Sequence, residues 1–169
     1  ELQEKLYEKY PKIFRQKDLS KQETAMCYGI GVGDGWYNII DTLCGLIQHR
    51  VDAPHKSIAD YEQWTVSALE EGNNDWANTC VENIEKEKER IINQVEAVQI
   101  KEKFGDLCFY INDYQPEIRH YLYFASAISR KTCEYCGRPG SKENNQNKRW
   151  IKTVCEECAP LYKDGHFKK

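Results

Sequence analysis

Apolar residues recur every four positions at the start of the chain, at Leu2, Leu6 and Tyr10, which predicts a short helix that Pro11 ends. Ile13-Phe14 then offers an anchor into a core, and the polar run from Arg15 to Thr24 reads as a surface connection. Ile39, Ile40, Leu43, Cys44 and Ile47 mark one face of a helix that runs to about Arg50, with Asp34 placed to cap it. The Asp52-Ala53-Pro54 breaker makes residues 51–56 irregular. A helix over 58–70, carrying Tyr61, Trp64, Val66 and Leu69, ends at Glu71-Gly72-Asn73-Asn74. Another begins near Asp75 and runs into the nineties, with Trp76, Cys80, Ile84, Ile91 and Val95 on one face and the Glu85–Arg90 charge run on a solvated one.

At Val95 the period changes from helical to alternating. Val98 and Ile100, then Leu107, Phe109 and Ile111, flank a Gly105-Asp106 turn and predict a β-hairpin near 95–112. Pro116-Glu117 opens a last helix, with Ile118, Tyr121, Leu122, Ala125 and Ile128 on its buried stripe. The predicted fold class is therefore α+β. A mainly helical body over 1–130 contains the small hairpin and a helical insert at 51–94. With no flexible spacer between them, residues 131–169 form a module packed on the body.

That last module carries the strongest chemical signal. Cys133-Glu134-Tyr135-Cys136 and Cys155-Glu156-Glu157-Cys158 are two Cys-x-x-Cys pairs with eighteen residues between them. One tight turn aims two thiolates at one ion, and two such turns complete a tetrahedral site, so Cys133, Cys136, Cys155 and Cys158 are read as ligands of Zn2+ in a C-terminal zinc ribbon. Gly137-Arg138-Pro139-Gly140 suits the fold-back of the first turn, the polar run from Ser141 to Lys148 reads as a loop, and Trp150–Val154 reads as a short strand delivering Cys155. The competing readings are two disulfides, a redox dithiol or four spaced free thiols; no mark of secretion favours disulfides, and a redox pair needs no second pair. Cys27, Cys44, Cys80 and Cys108 fall on predicted core or strand positions and read as small buried residues.

Composition narrows the class further. Of 169 residues 40% are hydrophobic and 30% charged, no apolar run approaches the length of a membrane span, and the first residues lack the features of a signal peptide. The expectation is a cytoplasmic protein that does not engage membranes. The net charge of −3 is unevenly spread: from Lys131 onward nine Lys/Arg face five Asp/Glu, while the body is acidic. Broad duplex binding by the body is disfavoured, whereas Lys148, Arg149, Trp150 and Lys152 form a candidate nucleic-acid contact on the basic module.

Two further stretches stand out. Met26 to Tyr37 places four glycines at alternate positions before a helix, a geometry suited to close backbone approach and to cradling an anion. It lacks a dinucleotide or P-loop fingerprint, and Asp34 opposes a phosphate. One reading makes Gly33, Asp34, Gly35, Trp36 and Tyr37 a ligand or partner surface; the other makes them a tight loop that packs Trp36 against the body. Lys101, Lys103 and Phe104 at the hairpin tip can hold an anion and stack a ring, or lie as ordinary solvent-facing residues. No catalytic set emerges. His49, His55, His120 and His166 are scattered, and four thiolates leave zinc no open coordination position.

In combination, Gly33-Asp34-Gly35-Trp36-Tyr37, Lys101-Glu102-Lys103-Phe104-Gly105-Asp106-Leu107, Ser129, Cys133-Glu134-Tyr135-Cys136-Gly137-Arg138-Pro139-Gly140, Trp150-Ile151 and Thr153-Val154-Cys155 resemble a widespread group of small uncharacterised proteins of tailed bacteriophages and prophages. The likeness covers residues 26–48 and 95–159. Where similar proteins carry Arg before the aromatic of the second strand, this chain has Cys108. The resemblance implies a phage accessory protein in a bacterial cytoplasm that binds a host or phage protein, or sequesters a small anionic ligand, including as an anti-defence factor. The other readings carried forward are a nucleic-acid-binding zinc ribbon and a nucleotide-processing enzyme built on the glycine stretch. The pattern carries no signal for oligomeric state.

Overall fold

A computed structural model describes residues 2–147 and 149–162 of the chain. Glu1, Lys148 and residues 163–169, His166 among them, lie outside the described residues. The fold is α+β, mainly helical with a small three-stranded sheet. No helix among the described residues is long and apolar enough to cross a membrane.

The chain divides into two compact units, one formed by Glu1–Leu46 with Val95–Lys169 and the other by Ile47–Gln94. The expected break at Pro54 is absent, because α2, which starts in the first unit and continues into the second, runs without interruption over Tyr37–Glu70. A proline inside a helix removes one backbone bond and costs about 3 kcal/mol. Here its ring is buried and falls in the stripe of Ile47 and Val51, so apolar burial offsets that cost. α3 spans Asn74–Glu89 and starts where expected, with the Asn73 side chain accepting from the Trp76 amide at 3.1 Å. It ends short of the nineties. The Arg50 guanidinium donates to the Arg90 carbonyl at 2.9 Å, just past its C-terminus.

In the first unit α1 covers Leu2–Lys9, and Ile13 and Phe14 are fully buried, as the sequence predicts. The hairpin is present as β2, Ala97–Lys103, and β3, Asp106–Ile111, paired antiparallel. Its two-residue turn places Phe104 at φ 52° and Gly105 at φ 79°, the pairing of positive angles that a tight hairpin with the native twist requires. A third strand was not legible: β1 is only Ile30–Gly31 and runs parallel to β2, Ile30 opposite Ile100 and Gly31 opposite Lys101. Ile100, Leu107 and Phe109 point to the core, while Gln99, Lys101, Lys103, Cys108 and Tyr110 share the outer face.

α4, Pro116–Ser129, opens with its proline in the first turn. Its last residue is fully buried, and the Ser129 hydroxyl accepts from the Leu107 amide at 2.9 Å, fixing the helix end to β3. The strand expected over Trp150–Val154 does not form. Only Val154 makes a ladder contact, exchanging bonds with Ser141 at 2.9 and 3.1 Å. Asparagine side chains take the neighbouring backbone groups: Asn147 Oδ1 accepts from the amides of Arg149 and Trp150 at 2.8 and 3.1 Å, and Asn145 donates to the Trp150 carbonyl at 3.1 Å.

Candidate metal centre and the surfaces around it

The two Cys-x-x-Cys turns converge. One sulfur from each of Cys133, Cys136, Cys155 and Cys158 lies within 4.8 Å of all the others, and Cys136 Sγ is 3.7 Å from Cys155 Sγ. Tetrahedral bonds of about 2.3 Å place sulfurs about 3.8 Å apart, so this donor set fits one tetrahedral ion of the zinc type. Local chain geometry explains the convergence. Gly137 sits at φ 75° and returns its amide to the Cys133 carbonyl at 3.0 Å, while Cys133 donates to the Arg138 carbonyl at 2.7 Å. In the second turn Ala159 donates to the Cys155 carbonyl at 3.0 Å.

Cys133, Cys155 and Cys158 are buried and Cys136 is exposed. Burial pushes the Cys133 and Cys158 thiols up. For Cys136 burial acts in the same direction, but the Arg138 guanidinium and backbone amide overcome it and bring the thiol down to about 6. Arg138 Nε stands 3.5 Å from Cys136 Sγ, and its two terminal nitrogens grip Glu157 at 2.5 and 2.6 Å. One side chain therefore ties the first turn to the second and donates toward a sulfur, the kind of outer-sphere contact that would steady a thiolate on an ion.

The glycine stretch packs on this centre. Gly35 donates to the Glu134 carbonyl at 2.8 Å, Gly33 donates to Glu134 Oε1 at 3.1 Å, and the Trp36 indole donates to the Thr132 carbonyl at 2.8 Å. A Cβ on Gly33 would fall on the Glu134 carbonyl, and one on Gly35 would fall on the Cys133 carbonyl and the amides of Cys136 and Gly137. Trp36 is 0% exposed, which removes it from any contact surface. Of the two readings of this motif, the tight packing loop matches the geometry. Asp34 opens a single 3₁₀ turn and stays exposed. With Tyr37 it lines a cleft of about 500 Å³ beside Gln3, Ile30 and Val32.

Beneath the loop lies a buried charge network that the sequence reading missed. Lys152 Nζ reaches Glu134 Oε1 at 2.6 Å and Glu102 Oε2 at 3.3 Å, and the three side chains are 13%, 2% and 3% exposed. Lys152 is thus spent on internal carboxylates, which corrects its assignment as a nucleic-acid contact. Burial raises the Glu134 carboxyl above its ordinary range, opposed by Lys152 and the Gly33 amide. The only hint in the sequence was charge inside a chain segment otherwise built for burial.

Glu102 also organises the hairpin tip. Its Oε1 accepts from the Gly105 amide at 2.7 Å and its Oε2 from the Trp150 indole at 2.8 Å, while the Thr153 hydroxyl donates to the Gly105 carbonyl at 2.7 Å. Two sets of residues that the sequence kept apart, Lys101, Lys103 and Phe104 in one and Arg149 and Trp150 in the other, are brought to one end of the unit. There Phe104 is 67% and Trp150 56% exposed. No protein-family model matches the chain, and neither a curated protein nor a solved structure does.

Proposed function

We propose that this chain is a zinc-stabilised, non-enzymatic binding protein whose recognition surface is the hairpin tip together with Trp150. The observation that carries the reading is Phe104. A bulky side chain at positive φ is strained by about 1–2 kcal/mol, and this one, 67% exposed, recovers little of that by burial. Glu102 locks the turn that imposes the strain and, with its other oxygen, holds Trp150 beside it. An exposed aromatic kept at a cost to folding fits a contact residue.

Zinc is the proposed ion because four thiolates in tetrahedral disposition suit it, and such a closed set serves construction rather than hydrolysis. It holds the module that presents Trp150. On the resemblance to tailed-phage and prophage proteins, the proposed setting is a bacterial cytoplasm, and the proposed role is that of an accessory factor that engages a host or phage macromolecule, including a component of host immunity. A small ligand in the cleft beside Asp34 and Tyr37 is the second reading, supported by the volume of that cleft.

The test is affinity capture from bacterial lysate with the parent chain and with Phe104→Ala/Trp150→Ala, the eluates analysed for protein, nucleic acid and small molecules. The expected result is a retained species that the double variant loses while keeping its zinc. Equal retention by both would remove the hairpin tip as the recognition surface.

A further inference from the structure

Three features at the hairpin end point to the same class of partner. The first is unpaired positive charge. Lys101, Lys103 and Arg149 pair with no carboxylate among the described residues, whereas Lys152 is neutralised inside the fold. The acidic neighbours are occupied as well: Glu102 is buried on Lys152, and Asp106 is paired with Arg130 and Lys142. The patch therefore presents a local positive field on a chain whose overall charge is negative.

The second is a set of open rings. Phe104 and Trp150 are the most exposed rings of the patch, and Tyr110, 41% exposed, adds a third on the outer face of the sheet. Lys101 Nζ lies 5.4 Å from the Tyr110 ring centre and Lys103 Nζ 5.9 Å from that of Phe104, so charge and ring are interleaved. The third is shape. Lys101 and Tyr110 occupy the outer face of the hairpin, Trp150 is held from the inner face through Glu102, and Phe104 stands on the crest between them. A partner that touches all of them has to bend over a two-residue turn. The major groove of a duplex can admit a hairpin, but the bases of a duplex are already stacked and paired, so it offers none to Phe104 and Trp150. A single strand follows it readily and offers an unpaired base to each ring.

We infer that the hairpin crest is a platform for single-stranded nucleic acid, with Phe104 and Trp150 stacking bases and Lys101, Lys103 and Arg149 meeting the phosphates. This rests on the proposed function and names the partner class of the same surface.

The test uses the zinc-loaded full chain and fluorescence anisotropy with labelled twelve-nucleotide dT and rU strands, a duplex of equal length and an acidic peptide, each at 50 and 200 mM salt. The single strands should bind tightest and lose affinity as salt rises, because each phosphate contact releases counterions. Phe104→Ala and Trp150→Ala should each weaken binding about tenfold or more. Lys101→Gln/Lys103→Gln should weaken it and flatten the salt dependence. Phe104→Tyr, which keeps a stacking ring, should restore most of the affinity. No binding of either strand at 50 mM salt overturns the inference, as does a duplex or the acidic peptide binding more tightly than the strands. Strand binding that Phe104→Ala and Trp150→Ala leave intact overturns it too. If the strands fail while a protein captured from lysate is lost on Phe104→Ala/Trp150→Ala, the binding function stands and this assignment of partner falls. If both fail, both fall.

Discussion

The amide of Gly35 donates to the carbonyl of Glu134 across 2.8 Å, joining the glycine loop to the first cysteine turn. The approach is possible only because neither Gly33 nor Gly35 carries a Cβ. The most conspicuous motif of the N-terminal half is thus a seat for the four-cysteine module.

Substituting Gly35 should therefore reveal sterics, not backbone preference alone. Gly35→Ala is expected to cost about 1–3 kcal/mol or more by overpacking, read by urea denaturation. Gly72 is the control: it sits at φ 74° with nothing within 4 Å of an added Cβ, so Gly72→Ala should cost only the backbone term of about 1–2 kcal/mol. Equal costs would mean that the loop yields around the turn.

Metal content should be one zinc per chain by native mass spectrometry. Cys133→Ser or Cys155→Ser should abolish it, because a structural tetrathiolate needs all four sulfurs. Chelation should lower the melting temperature, and zinc should leave as acid protonates the thiolates, the proton competing with the ion. A chain that keeps its melting temperature after chelation would contradict a structural role for the centre.

Lys152 stands between two buried carboxylates, so Lys152→Met should cost about 3–5 kcal/mol by leaving Glu134 and Glu102 without a counter-charge. Adding Glu102→Gln and Glu134→Gln should recover much of the loss. Denaturation of the single and triple variants decides it; an Lys152→Met chain of parental stability would show that water reaches the network.

Arg15 binds Glu96 through bonds of 2.6 and 2.8 Å, and Gln16 adds a third at 2.9 Å. Arg15 holds the Glu96 carboxyl below its usual 4.5 against the opposing effect of burial. A lowered carboxyl contributes stability above its unfolded value and loses it as pH falls through the folded one. The stability deficit of Arg15→Met relative to the parent should accordingly be full at neutral pH and shrink below pH 4.5. A deficit unchanged across that range would exclude the ion pair as its cause.

Much of the architecture could be read from local pattern. The Leu2–Tyr10 repeat, the alternation on either side of Gly105, the Pro116 helix start and the cysteine spacing each report a short-range constraint, and all four reappear in the fold. Pro54 misled because its local penalty is overridden by burial of its ring. The Trp150–Val154 strand misled because Asn145 and Asn147 claim the backbone groups a ladder would use.

The candidate surfaces depended on contacts between distant segments. The glycine run offered a packed Trp36 as one reading, but nothing local announces that its indole meets Thr132, that Lys152 is consumed by Glu102 and Glu134, or that β1 pairs with β2. The sequence by itself determined the α+β class, the hairpin and the four-cysteine cluster, because periodicity and Cys-x-x-Cys spacing act within a few residues. Tertiary structure alone decided which glycines pack on the cysteine turns, which lysine is spent in the core and which aromatic rings meet solvent. Those outcomes follow from burial and charge pairing between segments up to about a hundred residues apart, such as Gly33 and Glu134.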